Sequence, residues 1–343
     1  MRIVLIVLGA IFGSLLLVVA GSFALWLGAD LIPQRAQPQA ELTLKLDSSA
    51  GPALATRAVF PTVRDGLREP RIGFATIAAS GDSIEVTVAD GIDRAQAQSR
   101  LRELSHQSGA DHVDAEQFTV ADADGGMFRL TPTAAAISDA TNRTDDETIA
   151  VLNHRLEGLQ VKAKVRRQGA DTVLIDLPRP SNTDRLKATL VAPGKLSIRF
   201  VDTSVGVDVA KRGQVPAQSE LLSASDGTPF LVQKRVAVAG DALVDAQALL
   251  DQATSQPVVS FRFNAAGTRQ FARVTTESVG LPMAIVLDGV VLAAPIIREP
   301  IVGGSGQISG GFTVEKANDL AVMLRSGALP APLTIVSEHD VGR

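Results

Sequence analysis

The chain has no cysteine, no tyrosine, a single tryptophan and almost no net charge. Without cysteine there is no disulfide, no thiolate nucleophile and no Cys-ligated zinc, which suits a domain that folds outside the cytoplasm without oxidation. Aromatic residues make up 4% and the formal net charge is −4, so the chain lacks both the basic footprint and the stacking platforms of a nucleic-acid binder. His106, His112, His154 and His339 are scattered, and none has the His-Glu-x-x-His or Cys/His spacing that puts two ligands on one metal. What is abundant is apolar: 45% hydrophobic against 20% charged over 343 residues. That composition supports about two or three globular units with their own cores and excludes a disordered polypeptide.

Ile3 to Ala29 form a run of 27 residues without a charge. At ~1.5 Å per residue this is long enough to cross a hydrocarbon core of ~30 Å with some tilt. Arg2 and the terminal amine precede it and Asp30 follows, which places the N-terminus in the cytoplasm and the rest of the chain outside. Trp26 takes an interfacial position at the outer end. A cleaved signal peptide, with small residues around Ala20 to Ala24, is the alternative, but the run exceeds the usual apolar core of roughly 7 to 15 residues. Pro33 to Pro38 then reads as an extended linker.

Beyond it, Leu42, Leu44 and Leu46 alternate as on a half-buried strand, and an irregular helical stretch runs to about Arg68. Strands are expected at Ile72 to Ala78 and Ser83 to Val88 around the turn Ser80-Gly81-Asp82. A helix from Asp93 to Ser105 and a strand at Val113 to Val120 complete one βαββαβ unit. A second follows: a strand at Phe128 to Leu130, a helix through Ile149, Leu152 and Leu156 capped by a left-handed Gly158, and a hairpin pairing Val161 to Arg166 with Thr172 to Leu177. A short helix to Leu190, capped by Asn182 or Thr183, and a closing strand at Leu196 to Phe200 make this order ferredoxin-like. Asp145-Asp146-Glu147 is expected to complement the positive end of the helix that follows it. Asp288-Gly289 reads as a type I′ hairpin turn, not as a catalytic aspartate. The last helix starts at Thr313 and stops at Gly327, with Leu333 to Val336 as an adjoining strand.

No reaction centre assembles from these residues. Gly303, Gly304, Gly306, Gly310 and Gly311 lack the Gly-Lys-Ser/Thr of a phosphate loop and the dinucleotide spacing, and read instead as a bulged strand and candidate hinge. Asp122 to Gly126 begins like a calcium loop but has neither the third oxygen ligand nor the distal Glu in register. Ser305 and Ser309 have no sequence-local base. Neither a cofactor nor a metal is expected.

Four runs carry a family resemblance: Asn153 to Pro178, Pro257 to Thr275, Gly280 to Phe312 and Asn318 to Ile335. In this order they resemble the first periplasmic domain of SecD and of the fused SecDF preprotein translocase accessory subunit. The resemblance implies an α+β chain: a single N-terminal transmembrane helix, then ferredoxin-like βαββαβ periplasmic units and an α+β head subdomain. Residues 1–30 would be the anchor, 31–40 the linker, 41–126 an N-terminal α+β region, 127–210 the base, and 211–343 the head, with a C-terminal helix and strand returning to the base. Where the family carries Asp-Leu-x-Gly-Gly after the anchor, this chain has Leu44-Lys45-Leu46-Asp47-Ser48-Ser49.

The family's periplasmic domain holds emerging preprotein while swinging between orientations, driven by protons moving through ionisable residues of later membrane helices. Full members continue into those helices past the point corresponding to Arg343, and Ile3 to Ala29 contains no ionisable residue that could serve such a relay. The expectation is thus a share of the family's activity and not an enzyme. An inner-membrane, single-pass protein would bind unfolded or translocating preprotein on the periplasmic side, with SecF/SecY-type translocon subunits as partners. A structural or regulatory subunit that docks on an envelope complex, and a small-ligand sensor, are the alternatives.

Overall fold

The computed structural model describes residues 39–68, 74–88, 94–106, 116–123, 126–169, 171–178 and 183–341. The expected membrane helix, its signal-peptide alternative, residues 31–38 of the linker, His112, Asp124 and Asn182 lie outside them. After β1 (Gln39–Leu46) the chain forms α1 (Gly51–Arg68), β2 (Phe74–Ser80), β3 (Ser83–Val88), α2 (Arg94–Ser105), β4 (Phe118–Ala123) and β5 (Met127–Pro132). Next come α3 (Ala134–Gly158), β6 (Lys164–Gln168), β7 (Thr172–Pro178) and α4 (Thr183–Val191). A long excursion carries β8 (Leu196–Val201), α5 (Val207–Lys211), β9 (Ser219–Ala224), β10 (Pro229–Ala239), β11 (Leu243–Leu250), β12 (Pro257–Phe263), α6 (Ala265–Glu277), β13 (Met283–Leu287), β14 (Val290–Ala293), β15 (Ser305–Ile308) and α7 (Val314–Ser326). It ends in β16 (Leu333–Val341).

The α+β class is as expected, but the strands are shared out differently. β1 does not open an N-terminal unit; it lies inside a four-stranded antiparallel sheet of order β16-β1-β7-β6. Leu42 faces Ile175, Leu44 faces Val173 and Leu46 faces Leu333, and the inward leucines of β1 are at most 4% exposed. With α3 and α4 this sheet is one ferredoxin-like βαββαβ unit whose own strands run 4-1-3-2. Two insertions interrupt it. Between β1 and α3 sits a second sheet, β2-β3-β5-β4, so the strand at Phe128 to Leu130 expected in the base pairs with β3 instead (Val86 opposite Phe128, Ile84 opposite Leu130). Between α4 and β16 sits the head, which also claims the expected closing strand at Leu196: β8 joins a closed barrel of order β10-β8-β13-β14-β9. Alternation revealed these strands, but their partners lie far away in sequence, where periodicity carries no information.

The head's remaining sheet, β11-β12-β15, shares a core with α6, α7 and inward residues of the barrel. Phe261, Phe263 and Phe271 meet there edge to face, with centroids 5.2 to 6.5 Å apart. That geometry suits the ring quadrupoles.

α3 is longer than the apolar pattern suggested. It starts at Ala134, where the Thr133 side chain accepts a hydrogen bond from the Ala136 amide, so Asp145 to Glu147 lie inside the helix and do not cap it. Asp145 is buried against Arg167, which donates to its carboxylate and, at 2.7 Å, to Asn142 Oδ1. Burial pushes the Asp145 carboxyl up, against the pull of Arg167. A group with a raised native pKa contributes most below its unfolded value and loses that contribution as pH rises through the native one. Asp145→Asn, which mimics the protonated form and can still accept from Arg167, is therefore expected to match or slightly exceed the parent's stability at neutral pH, with the gap closing in acid. Urea midpoints at the two pH values measure it.

Gly158 does not terminate α3 through a left-handed φ. It is the last helical residue, and the positive φ, 57°, falls at Gln160. The turn at Asp288-Gly289 has positive φ at both positions, 50° and 81°, as a type I′ turn requires. α7 starts on Thr313, whose hydroxyl accepts from the Lys316 amide, and stops at Gly327 with φ 83°.

Candidate functional site at the base–head junction

Head and base are joined by two chain segments, 192–195 and 327–332, and both pass one buried cation. The apolar stripe of α3 runs through Ala136, Ala140, Thr148, Leu152 and Leu156, and Arg155 sits on that stripe with no solvent exposure. Its Nη1 lies 2.8, 2.9 and 2.6 Å from the carbonyl oxygens of Thr189, Leu190 and Ala192 at the end of α4. Nε donates to Ser326 Oγ at 3.2 Å and Nη2 to the Gly327 carbonyl at 3.3 Å, both at the end of α7. The guanidinium therefore satisfies carbonyls that two helix C-termini leave without partners, and its charge opposes the negative ends of two dipoles. Burial lowers its pKa to about 10, partly offset by Asp288, so it remains cationic at neutral pH.

The segments also bind each other. The Leu329 amide donates to the Pro193 carbonyl at 2.7 Å. Gly194, at φ 73°, passes so close that a Cβ would lie 2.8 Å from Arg155 Nη2. From the head, Asp288 accepts from the Gly194 and Lys195 amides at 3.0 and 2.7 Å, while its own amide donates to the Lys195 carbonyl at 3.1 Å. The turn residue thus also fastens the hairpin β13–β14 to the neck.

Beside this knot runs a groove of about 520 Å³ between Gly158 to Gln160 and Arg185 of the base and Gln247, Asp319, Val322 and Arg325 of the head. Arg185 closes one side. Its Nε and Nη2 bind both carboxylate oxygens of Asp319 at 2.6 and 2.8 Å, and Nη2 also reaches the Glu315 carbonyl at 3.0 Å. Gly158 lets α3 approach α7: a Cβ there would lie 2.9 Å from Val322. Gly158→Ala is expected to cost about 1 to 3 kcal/mol by overpacking and to displace the head from the base. Thermal unfolding together with base–head distance measurements checks this.

The five glycines expected as a hinge fall outside this junction. Gly304 and Gly306 flank or lie in β15, which pairs with β12, and the Gly304 carbonyl accepts from the Phe263 amide at 2.9 Å. A Cβ would sit 2.0 Å from Thr268 Oγ1 at Gly304, 2.7 Å from the Phe261 ring at Gly306 and 2.9 Å from Phe312 at Gly310. These three serve close approach, while Gly303 and Gly311 face open space. His106 follows the end of α2, His154 is on α3 and His339 on β16, and Asp122 is engaged by Arg94. Sequence patterns did not point to Arg155 or to the Arg185–Asp319 pair. The one available signal was a charged residue standing on the apolar stripe of α3.

Residues 218–331 match the SecDF P1 head subdomain family. The protein translocase subunit SecD of Acetobacter pasteurianus is 36% identical over 282 residues, covering 81% of this chain and 53% of the relative. That of Magnetococcus marinus is 32% identical over 352 residues, covering 99% and 65%. A solved SecDF, described as a membrane component that enhances protein export, aligns with a TM-score of 0.47 at 29% identity, over 58% of this chain and 94% of its own. The chain spans about half the length of the first of these relatives. Sustained identity through both base and head, with the head matched as a subdomain in its own right, makes this chain a homologue of the bacterial protein translocase subunit SecD.

Proposed function

We propose that the chain assists Sec-dependent protein export as a membrane-anchored accessory factor. Its folded part stands on the periplasmic side of the inner membrane, its N-terminus is cytoplasmic, and it transiently holds emerging, unfolded polypeptide. The observation that carries this is the 36% identity to a SecD translocase subunit over 282 residues, spanning base and head. Binding without catalysis is consistent with a junction made of structural hydrogen bonds. An extended client could add to a strand edge such as β11, which is paired on one side only among the described residues and exposes Val244, Leu249 and Leu250. Backbone pairing gives affinity without demanding one sequence. The head loop around Gly303 to Gly311 is a second contact region under this reading, with Gly303 and Gly311 free to flex.

The test is site-specific photocrosslinking in intact cells while export is stalled, with probes at Leu249, Arg262 and Val302. Crosslinks to stalled preproteins are the expected result. Crosslinks confined to folded SecF- or SecY-type subunits would overturn substrate capture and make the chain a docking subunit.

A further inference from the structure

The base sheet ends in a basic edge beside a groove. β6 is the last strand of the order β16-β1-β7-β6 and is paired on one side only among the described residues. From Val161 to Arg166 the side chains alternate. Val161, Ala163 and Val165 are half-buried and pack against the core of the base, while Lys162, Lys164 and Arg166 are exposed. Arg166 is held by Asp176 at 2.8 Å, whereas Lys162 and Lys164 form no ion pair with any of the described residues. Between this edge and the last turn of α3 lies a groove of about 840 Å³, floored by Leu156, Val161, Ala163 and Leu177 and rimmed by the two lysines. Of the two acids that line it, Asp176 is taken up by Arg166 and Glu157 stands on the α3 side.

Charges of one sign on an open edge keep copies of a protein from pairing through it, since two β6 strands laid side by side would set cation against cation. The same charges select a strand of opposite sign. A strand added to β6 continues the pleat, so one set of its alternate side chains falls over the groove and the other over the lysine face. The first set meets apolar surface and the second meets free cations.

We propose that β6 and its groove form a docking edge for an extended segment of a partner protein in which apolar and acidic residues alternate. Backbone pairing holds the segment, its apolar side chains enter the groove, and its carboxylates meet Lys162 and Lys164. The site differs from the client contacts proposed at β11 because it demands a sequence pattern, and it does not rest on the export reading.

The probes are two short fluorescein-labelled peptides, one alternating valine with glutamate and the other valine with lysine, titrated against the full chain in detergent and read by fluorescence polarisation. The glutamate peptide is expected to bind the parent and the lysine peptide not. Lys162→Glu with Lys164→Glu should weaken the glutamate peptide about five- to tenfold and make the lysine peptide the better ligand, as reversal of two cross-strand pairs implies. Lys211→Glu with Lys316→Glu makes the same change in net charge at exposed head positions and should alter neither affinity. Hydrogen exchange locates the peptide: strand addition slows the amides of residues 164–168, which loose attraction to a charged surface does not. Equal binding of the two peptides to the parent, an equal loss in the Lys211 and Lys316 variant, or unchanged exchange in β6 overturns the docking edge. So does equal slowing of the same amides by phosphatidylglycerol vesicles, which would assign the edge to a lipid surface, or by self-association of the chain, which would assign it to a second copy.

Discussion

Arg155→Met is expected to lower the stability of the folded part by about 3 to 5 kcal/mol, the largest effect of any single change at the junction. Methionine fills much of the volume, so the loss comes from polar groups and not from a cavity. The carbonyls of Thr189, Leu190, Ala192 and Gly327 and the Ser326 hydroxyl lose their shared donor, and the four carbonyls belong to helix ends or neck with no other cation bonded to them among the described residues. Each buried acceptor left unmade costs on the order of 1 to 3 kcal/mol, reduced where water enters or the helix ends relax. Arg155→Lys keeps the charge but not the planar fork, so it should recover less than half of the loss. Urea unfolding gives the magnitude. Hydrogen exchange at the Leu329 amide, which bonds to Pro193, locates it: faster exchange there than at the core amides of β1 would show the neck opening first. Parental stability in Arg155→Met would mean that the knot is not what holds the two segments.

Gly304→Ala is expected to be nearly as costly. The built Cβ lies 2.0 Å from Thr268 Oγ1 and 2.7 Å from its Cβ and Cγ2, and the backbone is left-handed at φ 65°. Overpacking against a helix and a left-handed alanine together predict a loss of about 2 to 5 kcal/mol. Thr268→Ala in the same chain removes Oγ1 and Cγ2 but leaves its Cβ in place, and should recover part of it. Gly311→Ala, with the same hand of backbone but open space, should cost only about 1 kcal/mol, and Gly303→Ala almost nothing. Thermal unfolding of the four variants separates close approach from flexing. If Gly304→Ala unfolds like the parent, the packing of β15 against α6 is not the reason for glycine at that position.

What the sequence made legible was local. The Asp288-Gly289 turn, the Gly81 turn and both ends of α7 follow from chemistry within a few residues, and each stands where turn and cap rules put it. Strand membership was not legible, because β1 takes its neighbours from positions around 175 and 338, and alternation identifies a strand without naming its partner. The start of α3 escaped the pattern because its first turns bury Ala136 and Ala140 instead of large residues, which weakens the periodic signal. Arg155 was passed over for a different reason: an arginine inside a helix reads as solvated even where it stands on an apolar stripe, and only the convergence of two distant helix ends on it makes burial tolerable. The glycine run was recognisable as structural, but whether a glycine flexes or admits a neighbour depends on Thr268 and Phe261, which no spacing rule connects to it.

Threading the head between α4 and β16 sets an order of assembly. A chain delivered from its N-terminus presents β1 first, yet the strand that covers one side of it, together with Leu329, Ala331 and Leu333 of the same core, arrives only after the whole head has emerged. The unit begun first is therefore finished last. Until then β1 offers an unpaired edge to any extended chain nearby, and closing so long a loop is slow. A protein of this topology must itself pass through a state resembling the clients proposed for it, and its maturation should be sensitive to strand capture of the same kind as that proposed for it.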